Sequence, residues 1–211
     1  MMETSGKKRQ IVSPVREHPL IVPDRMIPPL LSGTKTQSSV PINLREFGPS
    51  DTKGYEWQFR DRRWRLNDVR EDLLIEKFCR FGPIGSRLWV KERFGIPSGG
   101  NIGPIHYSER WNREKPDPAR TWFAAGRMPR KHSRILLDIQ NIRVERIQET
   151  GFSDACAEWG IAYTSDRMGV DALKAFVSFW RDYYGNGPFS WEENPWVWVI
   201  TYKRASLDNS N

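Results

Sequence analysis

The sequence predicts an α+β protein, built as a small mixed, partly open β-barrel with a few short helices on its rim. Three observations predict it. Residues 196–202 are apolar on both faces, as a central or closing strand is. Residues 134–147 begin with Ile135, Leu137 and Ile139 on one face, and then Ile142 and Val144 take the opposite parity. Such a shift inside a strand implies a bulge or bend, the device that curls sheets. Residues 171–184 carry Leu173, Phe176, Val177 and Trp180 at helical spacing, and Gly185 closes the run.

The remaining elements follow in chain order. Residues 1–20 read as a flexible basic arm containing Lys7-Lys8-Arg9. Residues 21–31 are apolar but hold Pro23, Pro28 and Pro29, so at most a short helical turn ends at Gly33, which suits a left-handed cap. A polar loop runs from Gly33 to Ser39. Residues 55–60 alternate aromatic and polar side chains, a half-buried strand that turns into a second through Arg62 and Arg63. Gly82-Pro83-Ile84-Gly85 is a turn signal ahead of the short strand Leu88-Trp89-Val90. Residues 95–121, rich in Gly, Pro, Asn and Ser, read as a long loop, with residues 99–103 a candidate lid. Residues 153–159 read as a short helix capped by Ser153, with Gly160 just past its end. One domain over residues 21–204, with a flexible tail at 205–211, accounts for the 211 residues.

Composition narrows the function classes. The chain is 38% apolar, low for a globular domain, but 10 Trp supply large buried surfaces. No run approaches the ~20 apolar residues of a membrane span, and residues 1–16 lack the apolar core of a secretory signal. Cytoplasmic residence is therefore expected, with Cys79 and Cys156 as reduced thiols. The formal charge of +7 favours a polyanion such as a phosphate backbone, against the plainer reading of a solvated basic surface.

Two basic clusters sharpen that choice. Trp57, Phe59, Arg60, Arg62, Arg63, Trp64 and Arg65 interleave rings with guanidinium groups, as single-stranded nucleic-acid sites do. A hairpin that buries its aromatics and exposes its arginines explains the same spacing. Arg127, Arg130, Lys131, His132 and Arg134 precede the bent strand, where a loop would lead to the barrel mouth and hold anions. Trp196, Trp198 and Tyr202 share one strand face, which reads as core packing against the 171–184 helix rather than a stacking platform. His18, His106 and His132 have no neighbours at ligand spacing, so no metal is expected. No nucleophile elbow, phosphate-binding loop or dinucleotide fingerprint occurs, and no cofactor is expected.

Four segments, in order, carry a family resemblance: Leu30-Leu31-Ser32-Gly33-Thr34-Lys35-Thr36-Gln37; residues 85–92; residues 128–161; and Asn194-Pro195-Trp196-Val197-Trp198-Val199-Ile200. Together they resemble the ASCH family of PUA-like β-barrels, in particular its bacteriophage-borne branch. The resemblance implies a PUA-like barrel that binds RNA or a modified nucleoside beside the Lys35 loop. One small branch looks like metal-independent amidohydrolases acting on N4-acetylcytidine. Carried over by motif, their lysine is Lys35, their threonine position is Ser38, and their glutamate is Glu158. Where the family loop carries an arginine, this chain has Val40, which weighs toward binding without turnover.

Read on its own chemistry, the loop surrounds Lys35 with hydroxyls, a setting for an anion or a carbonyl oxygen. A solvated turn with a surface lysine is the plainer reading. Gly33, Thr34 and Thr36 are candidate ligand contacts, as are Arg87 and Trp89 of the second segment. Three functions stay open: nucleotide binding, amide hydrolysis, and a phage structural or host-protein-binding scaffold.

Overall fold

The structure, a computed structural model, describes residues 15–43, 56–60, 63–67, 72–74, 79–96, 105–106 and 121–205. Its main layer is a five-stranded mixed sheet. In chain order its strands are β1 (Glu17–Ile21), β2 (Gln37–Pro41), β6 (Arg87–Lys91), β10 (Leu136–Arg146) and β11 (Trp196–Arg204), and in space they run β1-β6-β10-β11-β2. β1 pairs β6 in parallel, and the other pairs are antiparallel. The protein is α+β, but its sheet is open and does not close into a barrel, since β1 and β2 remain its two edges. β3 (Glu56–Arg60), β4 (Arg63–Asn67) and β5 (Asp72–Leu74) form an antiparallel meander, the expected hairpin plus one strand.

The bent strand is β10. Its register against β11 slips between Ile139 and Asn141, so Gln140 is the extra residue that reverses the apolar parity. Leu137, Ile139, Ile142 and Val144 all reach the core as a result. β11 buries Val197, Trp198, Val199 and Ile200 consecutively because it lies inside the sheet with both faces covered. Trp198 and Tyr202 are core residues, as the plainer reading of that strand expected.

Helices α1 (Ile27–Leu31), α2 (Phe152–Trp159) and α3 (Asp166–Tyr184) complete the fold. α2 begins one residue earlier than expected, after Gly151, so Ser153 lies inside the helix and does not cap it. α3 begins five residues before Asp171. Ser165 caps it by accepting from the Met168 amide, and the turn at Gly169 is tolerated because a Cβ there would meet Phe152 and Tyr163 at 2.5 and 2.8 Å. Close packing selects a glycine that local propensity counts against. Phe176 and Trp180 are buried against the sheet.

Three expectations change at the ends and in the long loop. The stretch read as an arm contributes β1 from Glu17, and Ala205, read as tail, is buried and bonded to Leu136 O. The expected 95–121 loop contains the end of β7 (Phe94–Ile96), the whole of β8 (Ile105–His106) and the start of β9 (Thr121–Phe123), which pair as a small sheet. Residues 99–103, the candidate lid, lie outside the described residues. Both cysteines are buried, and no disulfide joins them. Among the described residues no helix is long and apolar enough to cross a membrane.

Candidate functional site

The site begins with the end of α2. Arg143 on β10 bonds Asp154 in the first turn of α2 at 2.7 Å, which fixes the helix against the sheet. One turn further on, Glu158 turns inward. Gly160 ends the helix at φ +71, and a Cβ there would meet Thr34 Oγ1 at 2.7 Å and the Lys35 amide nitrogen at 2.8 Å. Glycine is therefore required twice, for the left-handed backbone and for the approach of the Lys35 loop. Thr36 N donates to Ala157 O and completes the docking of loop on helix.

That docking buries Lys35, which is only 4% exposed. Its ammonium donates to Gln37 O at 2.6 Å, to Glu158 O at 2.7 Å and to Glu158 Oε2 at 2.7 Å. All three of its protons are engaged. The carbonyl of Glu158 belongs to the last turn of α2, where the helix dipole favours a cation. The other carboxylate oxygen, Oε1, accepts from Ser39 Oγ at 2.7 Å.

A second chain of bonds meets the first at Gln37. Tyr202 OH donates to Gln37 O at 3.0 Å, so the 2.8 Å contact between Tyr202 and Ser38 is one in which Ser38 donates. Burial drives the Tyr202 hydroxyl well above its ordinary range, helped by the Glu158 charge, with the Ser38 bond opposing weakly. Tyr202 therefore stays protonated, and the lone pairs of Ser38 Oγ are left for a ligand.

Lys35, Ser38, Ser39 and Glu158 line one cavity of about 70 Å³. Its walls are apolar and aromatic, with Phe176, Phe179, Trp180, Tyr183 and Tyr184 from α3 facing Leu20 and Val22. Burial raises the hydroxyls of Tyr183 and Tyr184, so the wall is neutral at physiological pH.

The structure brings Lys35, Ser38 and Glu158 together and leaves other candidates outside. Gly33 and Thr34 are exposed, and Thr34 Oγ1 turns back to Pro29 O. Thr36 serves the loop through its backbone, with Tyr202 N donating to its carbonyl. Arg87 and Trp89 do not line the cavity. Alternation along β6 sends Leu88 and Val90 into the core and Arg87 and Trp89 to the opposite face, where Arg87 pairs with Asp138 at 2.8 Å. Val40 lines the cavity mouth.

The second basic cluster is partly structural. Arg134 makes a two-point pair with buried Glu92 at 2.8 and 3.0 Å, and Arg130 holds Glu17 at 2.5 and 3.1 Å. Arg127 and Lys131 are exposed. Of the first cluster, Arg62 and the side chains of Arg60, Arg63 and Arg65 lie outside the described residues. Among the described residues no group of three or more His, Cys, Asp and Glu is placed to hold a metal ion.

Sequence reasoning missed Ser39, Tyr202 as the partner of Ser38, and the α3 aromatics as a cavity wall. Only the adjacency of Ser39 to Ser38 could have flagged it, and helical spacing made the α3 aromatics look like pure core. Fold and site define an α+β protein whose open mixed sheet, α2 and α3 enclose a buried lysine–carboxylate pair. No protein-family model, no curated protein and no solved structure matches this chain.

Proposed function

We propose that this chain is a PUA-like protein of the ASCH kind that binds a modified nucleoside, free or within RNA, in the cavity beside Lys35. The observation that supports it best is the convergence of Lys35, Ser38 and Glu158 on one aromatic-walled cavity. Glu158 and the lone pairs of Ser38 Oγ accept from N–H groups of the base, and the α3 rings stack on its faces. The basic surface attracts the phosphate backbone when the nucleoside lies within RNA. The test is titration of cytidine and N4-acetylcytidine by calorimetry, in wild type and Glu158→Gln. Saturable binding weakened tenfold or more by the substitution supports the reading. Absence of binding to either nucleoside overturns it.

A second reading has its own support in the 2.7 Å contact between Lys35 and Glu158. Passing one proton across it converts the ion pair into an amine and a carboxylic acid, the base and acid that amide hydrolysis needs. Water adds to the amide carbonyl carbon and gives a proton to Lys35. Glu158 protonates the departing nitrogen as the C–N bond breaks, and the ion pair is restored with a carboxylic acid and an amine released. Ser38 Oγ orients the attacking water. Acetate release from N4-acetylcytidine, absent in Lys35→Ala and Glu158→Gln, distinguishes turnover from binding alone.

A further inference from the structure

The cavity does not end at its mouth. A groove of about 480 Å³ continues from it, sharing Leu20, Ile21, Val40, Tyr183 and Tyr184 with the cavity and adding Arg80 and Lys91. These are the two cations that line it. We infer that this groove is a phosphate subsite, so that the preferred ligand is a nucleoside 5′-phosphate with its base in the cavity and its phosphate on Arg80 and Lys91. The inference rests on the nucleoside reading of the cavity and adds to it.

Three observations carry it. First, each cation is held against an aromatic ring rather than loose. The Arg80 guanidinium stacks on the ring of Phe81, itself buried, at 4.8 Å. Lys91 lies over Trp89 at 5.3 Å, with one of its three donors on Gly126 O at 2.5 Å. A guanidinium and an ammonium in one groove lining supply the positive charge that a phosphate monoester requires. Second, the floor of the cavity is already neutral, because Lys35 is compensated by Glu158, so any anion must find its counter-charge elsewhere. Arg80 is near enough for its charge to act on the Tyr184 hydroxyl in the shared wall. Third, Val40 lines both the cavity and the groove. Its apolar side chain adds no charge to the shared lining, whose cations are Arg80 and Lys91.

The same chemistry is offered by a free mononucleotide and by the 5′-phosphorylated end of an RNA. The test is calorimetric titration of wild type and Arg80→Ala with cytidine, cytidine 5′-monophosphate and a 5′-phosphorylated trinucleotide beginning with cytidine. The expected result is at least tenfold tighter binding of the monophosphate than of cytidine, with that advantage lost in Arg80→Ala. Binding of the trinucleotide as tight as that of the monophosphate assigns the subsite to RNA ends, and tighter binding of the monophosphate assigns it to free nucleotide. Equal affinity for cytidine and its monophosphate in wild type, or an advantage unchanged in Arg80→Ala, overturns the subsite and leaves the nucleoside cavity standing. No binding of any of the three overturns the subsite, and overturns the nucleoside cavity as well when N4-acetylcytidine also fails to bind.

Discussion

The Lys35 ammonium lies 2.7 Å from the Glu158 carboxylate, across 123 residues of chain, and both side chains are withdrawn from solvent. Neither charge would tolerate that burial alone. The lysine is compensated by two carbonyls and a carboxylate, and the carboxylate by an ammonium and the Ser39 hydroxyl. The pair is thus a structural clasp between the 33–37 loop and α2, as well as the polar floor of a cavity.

Removing one member of the clasp leaves the other charged in an apolar setting. Lys35→Met and Glu158→Leu should each destabilise the fold by roughly 3–5 kcal/mol. The double variant should recover most of that loss, because it removes both desolvation penalties. Urea unfolding of the four proteins measures the coupling. Single losses below about 1 kcal/mol would show that water reaches the pair.

Tyr202 joins Ser38 to the Gln37 carbonyl, so Tyr202→Phe should cost about 1–2 kcal/mol. The same change should reduce the alkaline sensitivity of the fold. The folded Tyr202 hydroxyl titrates well above the ordinary value of 10, so its contribution is whole below about pH 10 and is lost as pH rises. Unfolding measured between neutral pH and pH 11 should show a shallower decline in the variant.

Glu92 makes the opposite case at acid pH. Burial would raise its carboxyl, but bonds from His106 and Arg134 outweigh burial and hold it at about 2, against an ordinary 4.5. His106 Nδ1 lies 3.0 Å from Glu92 Oε1, and Arg134 reaches both oxygens. A folded value below the unfolded one stabilises above about pH 4.5, and the contribution fades as pH falls toward 2. It amounts to about 3 kcal/mol at most. Glu92→Gln should lower stability at neutral pH and flatten its decline between pH 4.5 and 2.

Gly160→Ala should strain the left-handed turn and push the new methyl into Thr34 and the Lys35 amide. A loss of roughly 2 kcal/mol or more is expected. The clasp should loosen with it, so amide exchange at Lys35 and Thr36 should accelerate more than exchange in β10. Equal acceleration everywhere would mean that the turn and the loop are not coupled.

Local chemistry was legible in the chain itself. The two-sided apolar run of β11, the parity reversal of β10 and the helical period of α3 follow from backbone geometry, which repeats every 2 or 3.6 residues whatever surrounds it. Boundaries were less legible where packing overrides propensity. Gly169 hides the first turn of α3 because its value lies in Phe152 and Tyr163, residues outside the helix. The basic cluster ahead of β10 looked like one anion site, yet Arg134 is committed to Glu92, 42 positions away.

The sequence by itself determined the element types of β10, β11, α2 and α3, the positive charge, and Lys35, Ser38 and Glu158 as residues to compare. Only the tertiary structure decided that these three share a cavity, that Ser39 and Tyr202 join them, that Arg87 and Trp89 face the other side of the sheet, and that the sheet stays open. The reason is range. A residue's own type and its near neighbours set its backbone state, but charge compensation, cavity walls and strand order depend on contacts between segments far apart in the chain. Those contacts exist only once the sheet and α2 have folded onto one another.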